Sequence, residues 1–221
     1  MRLRELLFPT EAVCVICRRP SDGELLCCAC RDALADSRLK EEVRQDLFID
    51  EWISVWSYRD GAKQLVHLLK FDAVADAAIP LAEGMAEAAR RMALPRRVLV
   101  TSVPMPVRRR SARGIDHGMT LAMGVAIALG APYRPLMRRS GSAGTQRGLS
   151  REKRLTNLQG AFRCERLCGE DILLVDDVLT TGATAQLCAQ ALREAGAGSV
   201  RVVTATRAEK RRKPMKGLIR R

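Results

Sequence analysis

The stretch Ile172-Leu-Leu-Val-Asp-Asp-Val-Leu-Thr-Thr-Gly-Ala-Thr184 constrains this chain more than any other part of it. Four successive apolar residues, Ile172 to Val175, read as a strand buried in a parallel sheet. Asp176 and Asp177 follow at once, then a turn of hydroxyls and glycine, then a helix-forming segment from Ala185 to Ala195. Carboxylates at the C-terminal end of such a strand face the crevice where open α/β sheets bind ligands. Thr180, Thr181, Gly182, Ala183 and Thr184 gather backbone N–H groups, hydroxyls and a helix N-terminus around one point, an arrangement that attracts phosphate. Acids for ribose hydroxyls beside a loop for phosphate suit a sugar phosphate. Adjacent acids ending a strand also suit a Walker-B magnesium site, but the chain has no GxxxxGK[ST] loop to accompany one.

The run of four apolar residues, two acids and TTGxT resembles the phosphoribosyl pyrophosphate (PRPP) signature of type I phosphoribosyltransferases. The resemblance implies an α/β fold, a mostly parallel sheet flanked by helices. It puts Asp176 and Asp177 on the ribose 2- and 3-hydroxyls and Thr180 to Thr184 around the 5-phosphate. It also implies Mg²⁺ bridging pyrophosphate and sugar, because a compact polyphosphate is handled as its magnesium complex. Transfer from such a donor passes through an oxocarbenium-like sugar, so catalysis rests on positioning and charge stabilisation, with Asp176 and Asp177 as the candidate catalytic residues. Members of this group that use purine bases often carry an Asp where this chain has Thr180. No carboxylate general base is evident here, and the acceptor does not follow by analogy.

With 221 residues, 47% of them hydrophobic, the chain has the material for one α/β domain and a small appendage. The N-terminal stretch Met1 to Phe8 lacks the apolar core of a secretion signal, and no apolar run is long enough to span a bilayer. A cytoplasmic protein is the expectation. The net charge of +13 favours polyanionic partners. Between Arg207 and Arg221 eight basic residues stand against the single acid Glu209. Such a tail either keeps a disordered end soluble or makes salt-sensitive, sequence-independent phosphate contacts with nucleic acid.

Five of the eight cysteines fall between Cys14 and Cys30. Cys14-x2-Cys17 and Cys27-x2-Cys30 are two knuckles, each able to present two thiolates to one tetrahedral metal, which predicts a structural zinc site. Disulfides are the competing reading, against which a reducing compartment argues. So small a module lacks a sufficient core, so the metal would supply its folding energy, and chelation is expected to melt it and leave the larger domain folded. The division read from the sequence is a four-cysteine module with a linking helix over 1–46, a phosphoribosyltransferase-type domain over 47–207 and a basic tail over 208–221.

Between these landmarks, residues 32 to 44 look helical. Trp52 to Tyr58 reads as a strand, Asp60-Gly61 as a turn, and Ala62 to Lys70 as a short helix. The two tryptophans are read as packing residues, not as a surface for stacking bases. Leu81, Met85, Ala88 and Met92 mark the apolar face of a helix over 79–92. Arg97 to Pro104 is the next buried strand. The arginines after it, Arg108, Arg109, Arg110 and Arg113, would share a sheet edge with the acid pair, where pyrophosphate would lie. Gly118 to Leu129 is a helix stopped at Gly130. The basic segment 138–154 reads as a long loop, and Val200 to Thr206 closes the sheet.

Taken whole, the chain resembles the ComF family of competence-associated proteins, which join a four-cysteine zinc module to a phosphoribosyltransferase-type domain. The resemblance rests on the features above together with Leu69-Lys70-Phe71, Val103-Pro104-x-Pro106, Arg113-Gly114, Gln146-x-Gly148-Leu149-Ser150, Arg154, Asn157 and Gly160-Ala161-Phe162, in the family's order. After Arg113-Gly114 the family usually has an aromatic and then Asn-Gln. This chain has Ile115-Asp116-His117, so no pyrophosphate or acceptor contact is carried over to those positions. The resemblance implies a role in DNA uptake during natural transformation, with single-stranded DNA and uptake-machinery proteins as partners. Three readings follow: an enzyme with an unidentified acceptor, a DNA-binding factor using PRPP as a regulatory ligand, and a scaffold for protein contacts. The intact acid pair and loop speak against the third.

Overall fold

The computed structural model describes residues 12–40, 42–105, 115–139 and 161–208. The main sheet holds β1 (Arg44–Asp46), β2 (Ile49–Ser57), β3 (Val98–Ser102), β6 (Asp171–Leu179) and β7 (Ser199–Arg207) in the order β1-β2-β7-β6-β3. The last four strands in that order run parallel, and β1 turns back antiparallel on β2. A two-stranded ribbon pairs β4 (Met137–Arg139) with β5 (Phe162–Cys164). The helices are α1 (Cys28–Asp36), α2 (Asp60–Phe71), α3 (Ala78–Ala89), α4 (His117–Leu129) and α5 (Ala183–Glu194). Among the described residues no helix is long and apolar enough to cross a membrane.

Side chains alternate across a strand, and this divides the core between the two faces of the sheet. Ile53, Val55, Val100, Leu173, Val175, Val203 and Ala205 pack with α2, α3 and α4. Leu99, Ile172, Leu174, Val200 and Val202 pack with α5 and the ribbon. On α3 and just beyond it, Leu81, Met85, Ala88 and Met92 are all buried, as their spacing predicts. Burying a leucine- or methionine-sized side chain contributes about 1.5–3 kcal/mol. Both tryptophans serve packing. Trp56 is buried against α3, where a Cβ added at Gly84 would meet its ring at 2.3 Å, and Trp52 packs under the turn before α5.

Three expectations change. The helix read over 32–44 instead runs from Cys28 to Asp36, because the chain beyond it is drawn onto β2: Ser57 N donates to Ser37 O and Leu39 N to Val55 O. The final strand does not close the sheet at an edge but lies at its centre, between β2 and β6. The cysteine module is also not held apart from the rest. Cys14, Val15, Leu26 and Leu34 share one apolar cluster with Ala62, Leu65, Val66 and Leu69 of α2. The approach of α1 to α2 is so close that a Cβ on Gly61 would stand 2.9 Å from Leu34 N.

Candidate sugar phosphate site

β3 ends where Ser102 pairs with Val175, but β6 continues to Leu179 because β7 keeps pairing with it, through Asp176↔Thr204 and Val178↔Thr206. The two acids therefore stand inside a strand, not after it, on a stretch that has a neighbour along one edge and a crevice along the other. Alternation then sends them to opposite faces. Asp177 points, like Leu173 and Val175, toward α2 and α4; Asp176 lies on the α5 side with Ile172 and Leu174.

Asp177 is met by two side chains remote in sequence. Lys70 Nζ, from the last turn of α2, is 2.7 Å from Oδ1, and His117 Nε2, from the first turn of α4, is 3.0 Å from Oδ2. The carboxylate's side chain is only 10% exposed. Asp116 caps α4, its Oδ1 accepting from Met119 N at 3.0 Å, and so carries His117 inward. Nε2 must bear the proton given to Asp177. The other ring nitrogen, Nδ1, is buried and has no hydrogen-bond partner among the described residues. Burial alone would raise the Asp177 carboxyl; the His117 hydrogen bond and the Lys70 ammonium outweigh it and hold the group below the ordinary carboxylate range. Asp176 goes the other way. Burial first, and then the charge of Asp177, push it up to about 7, opposed by the Asp177 N–H that donates to its Oδ1 at 2.9 Å. Two adjacent acids are thus separated into one firmly ionised and one poised near neutrality, the division of labour that paired carboxylates need to play different roles.

The turn after β6 leaves Thr180, Thr181, Ala183 and Thr184 exposed, with Gly182 buried between them. Gly182 has φ +80°, and a Cβ there would lie 2.8 Å from the Trp52 ring, so both backbone and space call for glycine. No side chain caps α5, and Ala183 N finds only the Thr181 hydroxyl at 3.4 Å. The open N–H groups of this first turn are the usual seat of an anion.

The strand, turn and helix therefore bring Asp176, Asp177 and residues 180–184 together. Arg108 and Arg113 lie outside the described residues, as do the other arginines after β3, most of the basic loop and the tail beyond 208. The sequence reading left Lys70 and His117 without a role. A signal existed for Lys70, which directly follows the buried face Leu65, Val66 and Leu69 of α2. For His117 there was none beyond its being a departure from the family pattern.

At the N-terminus the Sγ atoms of Cys14, Cys17, Cys27 and Cys30 all lie within 4.8 Å of one another, and all four thiols are free of disulfides. Cys17 and Cys27 approach to 3.6 Å. Although burial opposes it, the backbone N–H groups of Cys17, Cys27 and Ile16 and the Cys17 thiol lower the Cys14 thiol to about 6. Burial and the neighbouring thiols raise that of Cys30. Cys188 is fully buried in the core, as its place on α5 suggested.

Residues 116–220 match the model of the phosphoribosyl transferase domain family. The DNA utilization protein YhgH of Salmonella typhi is 35% identical over 156 residues, covering 68% of this chain and 69% of the relative. Competence protein ComFC of Bacillus subtilis is 24% identical over 188 residues, covering 85% of this chain and 74% of that one. The chain belongs to the ComF family. Solved structures that overlap it include an adenine phosphoribosyltransferase, 13% identical with a TM-score of 0.40, over 80% of this chain and 90% of that one. Another is the B. subtilis glutamine PRPP amidotransferase, 20% identical with a TM-score of 0.44, over 63% and 30%. In this ComF protein the matched domain takes in α4, the acid pair and the turn before α5. Lys70 and the four cysteines fall outside it.

Proposed function

We propose that this ComF-family protein binds PRPP at the C-terminal edge of its sheet and acts as a phosphoribosyltransferase-type protein in DNA uptake. The observation that carries the reading is the pair Asp176 and Asp177 on β6, one residue pair before an uncapped, glycine-bent turn into α5. Asp176 accepts from a ribose hydroxyl. Asp177 uses one acceptor site on each oxygen for Lys70 and His117 and, since an ionised carboxylate has about four, keeps others for the second hydroxyl. Thr180 to Thr184 take the 5-phosphate through hydroxyls and open N–H groups. Arg108 and Arg113 are the proposed pyrophosphate contacts. Bound Mg²⁺ would neutralise the leaving pyrophosphate. The Asp176–Asp177 pair supplies the negative charge that a cationic sugar requires as it forms.

The cysteine cluster is the proposed seat of structural zinc. A Zn–S bond of about 2.3 Å implies a tetrahedral S···S edge of about 3.8 Å, and the thiols here, with Cys17 and Cys27 at 3.6 Å, already stand near that spacing. The names of the relatives and the charge of +13 support a partner among nucleic acids, single-stranded DNA first, and proteins of the uptake machinery. A second reading, in which PRPP only regulates a DNA-binding or adaptor protein, is favoured by the lack of a carboxylate base at Thr180. The test is calorimetric titration of PRPP into the zinc-loaded protein with and without Mg²⁺. Magnesium-dependent micromolar binding is the expected result; absence of binding overturns the assignment. Release of pyrophosphate in the presence of candidate acceptors then separates enzyme from regulated binder.

A further inference from the structure

A cleft of about 650 Å³ lies at the opposite end of the sheet from the acid pair, where Val98 and Leu99 begin β3. Val98 pairs with Asp171, and Asp176 stands five positions further along β6. At about 3.3 Å per residue the two levels are ~17 Å apart, so no ligand held by the acid pair and its turn fills this cleft.

Its composition is mixed in a definite way. Leu94, Pro95, Leu129 and Pro132 supply an apolar lining. Arg90, Arg96, Arg97 and Arg134 line it too, against one carboxylate, Glu170. Two of the four guanidiniums are engaged: Arg90 donates to the Ala128 carbonyl near the end of α4, and Arg134 pairs with Glu165. Arg96 and Arg97 are exposed and have no hydrogen bond or ion pair among the described residues. Adjacent guanidiniums with open donors match the oxygens of a phosphate, to which they bind in a fork. The apolar lining offers a phosphate nothing but suits a flat, weakly polar ring. The volume falls within the range of about 300–1,000 Å³ common to small-ligand sites.

We infer that this cleft binds a nucleotide, with the phosphate on Arg96 and Arg97 and the base against the lining formed by Leu94, Leu129 and the prolines. A free mononucleotide and one unit of a single strand share this chemistry. The experiment uses the full chain and its Arg96→Glu, Arg97→Glu double variant, whose unfolding midpoint is first shown to be unchanged. Thymidine 5′-monophosphate and an oligothymidylate are titrated into both, with inorganic phosphate as competitor. Binding of the mononucleotide that falls at least tenfold in the variant supports a free-nucleotide site. Binding of the oligonucleotide alone supports a strand site, if it weakens in the variant and its log–log salt slope becomes shallower by about 1.4, two phosphate contacts at ~0.7 each. If neither probe binds, if the variant binds both as well as the parent, or if inorganic phosphate competes as well as the mononucleotide, the inference is overturned.

Discussion

Replacing His117 by leucine deletes the Nε2–H donor to Asp177 but keeps an apolar side chain of similar bulk in the same buried place. Asp177 is 10% exposed, so water makes good little of the loss. A hydrogen bond to a charged group is worth about 1.5–3 kcal/mol, so His117→Leu should lower the unfolding free energy by about 2 kcal/mol at neutral pH. PRPP affinity should fall with it, by about tenfold or more, as the carboxylate loses the contact that orients it. His117→Gln should recover most of both, since its amide nitrogen reaches as deep and donates. The pH dependence has a definite sign. The Asp177 carboxyl is held below its ordinary value, so its contribution is present above the unfolded value of about 3.9 and is lost as pH falls through the lowered one. The gap between wild type and His117→Leu should therefore close on acidification below about pH 4. Urea unfolding across pH, paired with calorimetric titration of Mg²⁺–PRPP, reads both effects. A glutamine variant as impaired as the leucine one, or a leucine variant indistinguishable from wild type, would refute the reasoning.

Four further outcomes are expected. Asp176, raised to about 7, must be ionised to accept a hydroxyl, so PRPP binding should tighten and take up fewer protons as pH rises from 6 to 8; residual binding by Asp176→Asn should lack that component, and an unaltered profile in the variant would count against it. Asp176→Asn with Asp177→Asn removes two charged acceptors, ~3–6 kcal/mol together, and should abolish detectable PRPP binding while circular dichroism stays native; unchanged affinity removes both acids from the site. Because Leu26 and Leu34 share a cluster with α2, zinc chelation should destabilise the whole protein and shift a single melting transition downward. An upper transition that stays in place would restore the reading of an independent module. Deleting residues 207–221 should weaken single-strand binding and flatten its salt dependence; an unchanged slope leaves the tail with solubility alone.

Much of the candidate site was legible before the fold. Ile172 to Val175 announced a buried strand, the hydroxyl–glycine turn announced an uncapped helix start, and the two Cys-x2-Cys pairs announced a four-thiol cluster, all of which the structure contains. These are local patterns, in which residues within a dozen positions of one another dictate geometry through strand alternation, turn chemistry and knuckle spacing. The helix misread over 32–44 fails for the opposite reason: its C-terminal part pairs with β2, and backbone hydrogen bonds from distant residues override helical propensity.

What the sequence by itself determined was the chemistry available: two acids, an anion-binding turn, four thiols and an excess of arginine. Only the tertiary structure decided how that chemistry is held. It carried β6 past the end of β3, so that adjacent acids face opposite sides, and it brought Lys70 from α2 and His117 from α4 onto Asp177 alone. Such convergence costs loop-closure entropy that no local pattern encodes. It is offset by burial of the apolar faces on which Lys70 and His117 ride, so the split between an ionised Asp177 and a near-neutral Asp176 is a property of the packed core.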